Sequence, residues 1–149
     1  MYEPANTGGL THVRKTVTFT GAAGLGAVGA VAVFTTTGRV LVNYYTVYCS
    51  TSLVDAGGGA PATLAIGVTG SNGLFSDGVV IDPADGLTAG DWYSLGIGPT
   101  TGGAYSVPTA QPISANVILT VANEAINSGV LVIDFWYTPI TDDGKLVAA

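Results

Sequence analysis

Arg39-Val40-Leu41-Val42-Asn43-Tyr44-Tyr45-Thr46-Val47-Tyr48-Cys49-Ser50 is the stretch on which the reading of this chain turns. Val40, Val42, Tyr44, Thr46 and Tyr48 alternate with Leu41, Asn43, Tyr45, Val47 and Cys49. A repeat of two belongs to a strand, whose side chains point to opposite faces in turn. Both sets are rich in β-branched and aromatic residues, so the run predicts a central strand or one whose second face is an interface.

The same period extends outward from it. Val13, Lys15, Val17 and Phe19 alternate with Arg14, Thr16 and Thr18, and a second strand is expected over about 28–36 before a turn near Gly38. After the loop at 55–61 come strands near 63–69, 74–81 and 91–97, with Asp82-Pro83-Ala84-Asp85-Gly86 as a turn. Residues 98–112 read as the longest loop. Residues 116–122 and 130–137 form a hairpin-like pair connected by Asn123 to Gly129, in which Asn127-Ser128-Gly129 is a turn. In the last run Leu131, Ile133, Phe135 and Tyr137 face one way, and Val132, Asp134 and Trp136 the other.

No amphipathic helix interrupts this series. The fold class predicted is all-β: a single antiparallel β-sandwich of about eight strands, jelly-roll-like, with an extended N-terminal arm. Residues 1–12 are the arm, 13–138 the sandwich and 139–149 a C-terminal tail. A chain of 149 residues suits one domain with a real core.

Composition narrows the function. Charged residues are only 9% of the chain, against roughly 25% in an ordinary domain, and the net charge is −6. Phosphate neutralisation needs clustered Lys and Arg, so no nucleic-acid partner is expected. Gly21–Phe34 is too short and too glycine-rich to span a bilayer, so no membrane is expected either. The first six residues have neither the basic nor the apolar region of a secretory signal, and one cysteine builds no internal disulfide.

Few residues carry reactive chemistry. His12 falls in the arm, with no orienting partner visible, and Cys49 falls in a strand, where a lone cysteine is usually a small buried hydrophobe. No enzyme and no catalytic residue are expected. Gly24-Leu25-Gly26-Ala27-Val28-Gly29 spells the dinucleotide fingerprint, but strand formers follow it, and Cys49 stands about where the ribose-binding acid should be. It reads as a small-residue turn. No cofactor is expected. Asp77, Asp82, Asp85 and Asp91 leave calcium as the alternative, although their spacing does not match an EF-hand loop.

The aromatic residues point to surfaces. Trp92-Tyr93 and Trp136-Tyr137 place adjacent rings on opposite sheet faces. One ring of each pair is expected in the core, and the other at a protein interface or a sugar-stacking platform. The interface candidates are Tyr2, Leu10, Tyr44, Tyr48, Trp92, Tyr105 and Trp136.

The closing stretch resembles a known group. Ile118-Leu119-Thr120-Val121-Ala122, Ile126-Asn127-Ser128-Gly129-Val130-Leu131, Phe135-Trp136-Tyr137-Thr138-Pro139-Ile140 and Asp143-Gly144-Lys145-Leu146-Val147-Ala148 are similar to the end of small structural proteins of tailed bacteriophages. Val28-Gly29-Ala30-Val31-Ala32-Val33-Phe34 and Gly38-Arg39-Val40-Leu41-Val42 resemble their opening. The resemblance covers a third to a half of the chain. It departs at the Asn127-Ser128-Gly129 turn, which lacks the Thr of the pattern. It implies a virion protein of the capsid surface made in a bacterial cytoplasm, foremost a decoration (cement) protein. Its implied partners are the major capsid protein and further copies of itself, with a trimer favoured. The competing expectation is a carbohydrate- or receptor-binding domain of a tail fibre or spike, using Trp92, Tyr93, Tyr105 and the 98–112 loop.

Overall fold

The computed structural model describes residues 9–81, 87–94, 97–100 and 110–149. Among them are eleven strands and no helix. They run β1 (Thr11–Thr18), β2 (Gly29–Thr37), β3 (Val40–Asp55), β4 (Ala62–Val68), β5 (Ser71–Ile81), β6 (Trp92–Ser94), β7 (Ile97–Thr100), β8 (Gln111–Ile113), β9 (Val117–Ala122), β10 (Ile126–Pro139) and β11 (Lys145–Ala148).

The strands form two antiparallel sheets. One has the order β1-β10-β3-β6-β7, with β8 also on β3; the other has the order β11-β2-β9-β4-β5. Four pairs are nested along the chain: β1 with β10, β2 with β9, β3 with β6, and β4 with β5. The β10–β3 and β9–β4 pairings then close each sheet. Nested hairpins rolled into two sheets are the wiring of a jelly roll. The expected sandwich is therefore present, built from eight principal strands with β7, β8 and β11 added.

Several local expectations change. β9 and β10 do not form a hairpin, because they lie in different sheets. The chain crosses between the sheets at Asn123–Ala125, where Asn123 takes φ 64°. Residues 127–129 belong to β10, at bulges against β3, and do not form the expected turn. β7 and β8 occupy the two ends of the expected 98–112 loop. The expected tail contains β11, which pairs with β2. Residues 1–8 lie outside the described residues, and the last two positions of the expected arm, Thr11 and His12, are already in β1.

The decisive run is a central strand, but its faces are not those of a simple alternation. Val42 lies opposite Tyr137 and Tyr44 opposite Trp136, which leaves Asn43 as an extra residue. Such a bulge shifts the phase of everything after it. The Asn43 amide holds the bulge by donating to the Leu41 carbonyl at 3.2 Å and the Thr138 hydroxyl at 2.9 Å. Val40 and Val42 face the core, and so do Tyr45, Val47 and Cys49, all at most 2% exposed. Tyr44, which the alternation places with Val40, is turned outward along with Thr46 and Tyr48.

Between the sheets, Phe34, Tyr45, Phe75 and Phe135 form one aromatic cluster. Phe75 meets Phe135 edge-on at 5.1 Å, and Phe135 also lies 5.1 Å from Phe34 and 5.4 Å from Tyr45. The Tyr45 hydroxyl donates to the Phe75 carbonyl. Each such ring contributes on the order of 1.5–3 kcal/mol by burial.

The Gly24–Gly29 run is a turn, as its sequence suggests. Thr20 N–H donates to Leu25 O, Gly21 N–H to Ile126 O, and Ile126 N–H to Gly26 O. A Cβ on Gly26, at φ +118°, would lie 2.2 Å from Ile126 O, so only glycine fits there.

Candidate functional site: an aromatic and ionic sheet face

The outer face of the six-stranded sheet concentrates the unusual side chains. Strand register sets them in rows. His12 lies opposite Trp136, which lies opposite Tyr44. Arg14, Asp134 and Thr46 form the next row. Thr16, Val132, Tyr48 and Trp92 form the third.

The first row is a ring stack. Trp136 lies 4.5 Å from Tyr44 at an interplanar angle of 18°, and 4.8 Å from His12 at 30°. The indole thus lies between the other two rings of its row. In the third row Tyr48 and Trp92 meet at 4.6 Å. Tyr44, Tyr48, Trp92 and Trp136 are all half-buried.

The middle row is ionic. Asp134 is only 3% exposed although it faces outward. Its Oδ1 accepts from His12 Nε2 at 2.5 Å and Arg14 Nε at 2.8 Å, and its Oδ2 accepts from Arg14 Nη2 at 3.1 Å. A buried carboxylate is tolerable only with such partners, and the two-point guanidinium fork is a strong one. The Arg14 pKa is raised above its ordinary value, first by the hydrogen bond to Asp134 and then by its charge. Arg14 remains 61% exposed and His12 43% exposed. Of five guanidinium N–H donors, those not turned to Asp134 have no partner among the described residues.

Of the interface candidates, the fold brings Tyr44, Tyr48, Trp92 and Trp136 to one face. Leu10 is 48% exposed and immediately precedes β1. Tyr2 and Tyr105 lie outside the described residues, as do Asp82, Asp85 and the Asp77 side chain. Asp91 closes a local turn, its Oδ2 accepting from Thr88 N–H at 2.9 Å and the Thr88 hydroxyl at 2.7 Å. No group of three or more potential metal ligands stands together among the described residues.

His12 differs from its expectation. It sits on a strand, and Asp134 orients it. That His–Asp pair faces outward, whereas Cys49 is fully buried in the core. The Cys49 thiol donates to the Thr51 and Leu87 carbonyls at 3.2 and 3.4 Å, and burial pushes its pKa up to about 11. Among the described residues no hydroxyl or thiol hydrogen-bonds to His12. The His12–Arg14–Asp134 group escaped sequence reading because 120 or more residues separate its acid from its two partners. Its visible signal is a lone acid inside the apolar run Val132-Ile133-Asp134-Phe135.

No protein-family model matches this chain, and no curated protein does. A solved structure titled "Cyanophage Pam1 capsid asymmetric unit" is similar in fold. It shares 22% identity over 93% of this chain and 91% of that chain, with a TM-score of 0.49.

Proposed function

We propose that this chain is a non-enzymatic structural protein of a bacteriophage particle, which decorates and stabilises the capsid by binding the major capsid protein lattice. The observation that carries this reading is the outer face of the six-stranded sheet. Trp, Tyr and Arg are the residue types that dominate binding energy at protein interfaces. Here they are set on rigid strands, and Arg14 is held in place by a buried carboxylate. The resemblance of the closing stretch to phage structural proteins supplies the particle. Homo-oligomerisation, with a trimer favoured, and a location on the capsid surface belong to the same reading.

The sugar-platform alternative uses Trp92, Tyr93, Tyr105 and the 98–112 loop; of its three rings only Trp92 has a described side chain, and that ring packs against Tyr48 at 4.6 Å. The test is to mix the purified protein with shells assembled from the major capsid protein alone. Saturable co-sedimentation, together with an empty glycan array, is the expected result. Glycan binding without shell binding overturns the proposal.

A further inference from the structure

β1 has a free edge. It pairs with β10 on one side and, among the described residues, with no strand on the other. An open edge is a template for another strand. Beside it lies a groove of about 360 Å³ between β1 and β2, walled by Val17, Leu25, Val31 and Val33. At one end Lys15 reaches across to the Ala149 carbonyl.

The charge of this edge selects its occupant. His12, Arg14 and Lys15 place half of the chain's four Lys and Arg and its only His within one strand of a protein of net charge −6. Two β1 edges fully overlapped in antiparallel register would oppose Arg14 to Lys15, a like-charge contact that disfavours self-pairing. An incoming strand should instead bring a carboxylate to the outer face and an apolar ring to the groove. Residues 1–8 of this chain have that pattern. Glu3 is their one charged side chain, and the adjacent Tyr2 falls on the opposite face of an extended strand.

We infer that residues 1–8 of a second copy add as a strand to the free edge of β1, with Tyr2 in the groove and Glu3 beside Arg14. Eight extended residues span about 26 Å at roughly 3.3 Å each, the length of β1 itself. To reach its own edge the chain would have to reverse completely at Gly8-Gly9. Where the chain enters β1 it is open: among the described residues a Cβ on Gly9 meets nothing within 4 Å, and Leu10 is 48% exposed. The inference rests on the proposed function only for the presence of further copies, and its test uses no capsid.

The test compares the full chain, a chain lacking residues 1–8 and Glu3→Lys, by sedimentation and by amide hydrogen exchange over residues 11–18. Far-UV circular dichroism checks that each variant folds. The full chain should sediment as an oligomer, and the shortened chain as a smaller species whose outward β1 amides exchange about tenfold faster or more. Glu3→Lys should shift the same two readouts in the same direction. Adding unlabelled full chain to isotopically labelled shortened chain should restore protection to the labelled β1. Unchanged sedimentation and exchange in both variants overturn the inference. So does protection of the full chain that persists, independent of concentration, in a monomer, which assigns the strand to its own edge.

Discussion

The two outer faces of the sandwich share one core and differ in almost everything else. On the six-stranded sheet, neighbouring positions carry His12, Trp136 and Tyr44, then Arg14, Asp134 and Thr46. On the five-stranded sheet the matching rows are Ala30, Thr120 and Ala65, then Ala32, Ile118 and Gly67. Both faces stand on β-strands with regular inward residues, so folding alone does not require the difference. Among the described residues, the large rings and the ion pair on a buried carboxylate lie on the six-stranded sheet, which is why the proposed contact with another molecule is assigned to that face.

A core substitution sharpens that comparison most strongly, because it should damage both faces equally. Phe135 sits between Asp134 and Trp136 in sequence but points inward, where it is fully buried. Phe135→Ala should cost about 3–5 kcal/mol of unfolding free energy, read from a denaturant midpoint. Trp136→Ala should instead leave the fold in place and weaken shell binding by about 2 kcal/mol or more. A binding isotherm against assembled shells measures it, and an unchanged affinity would break the comparison. Asp134→Asn should cost about 1–3 kcal/mol of stability through lost charged hydrogen bonds. It should also weaken binding, since Arg14 and His12 lose their anchor.

Core chemistry is separable from both faces by pH. The folded state holds the Cys49 thiol protonated up to about 11, above its ordinary value. Between those two values the unfolded chain has released its proton and the folded one has not. Stability contributed by the neutral thiol is therefore complete at lower pH and lost as pH rises toward 11. Cys49→Ala should flatten that part of the stability–pH curve. The smallest effect is expected on the other face: Ala65→Lys should change stability by no more than about 0.5 kcal/mol and leave shell binding untouched. A loss of binding there would remove the distinction between the faces.

Strand alternation made the sandwich legible in the sequence, because inward positions such as Leu131, Ile133 and Phe135 repeat every two residues. The cluster of Tyr44, Tyr48, Trp92 and Trp136 was legible as separate surface rings. Bulges were not, because a bulge is a property of two strands, and Asn43 shows its meaning only opposite Trp136 and Tyr137. The same holds for the ionic row. His12 reads as part of an arm and Arg14 as one polar position on a strand until β1 pairs with β10 and brings Asp134 beside both. β9 and β10 read as a hairpin because local sequence does not say which sheet a strand joins. The jelly-roll wiring separates them.

Amide hydrogen exchange of the shell-bound protein against the free protein tests the account most directly. The expectation is new protection across β3 and β10 around Tyr44, Asp134 and Trp136, with residues 30–32, 63–67 and 118–120 exchanging as they do in free solution. Protection confined to those residues of the five-stranded sheet, or none on either face, would contradict it.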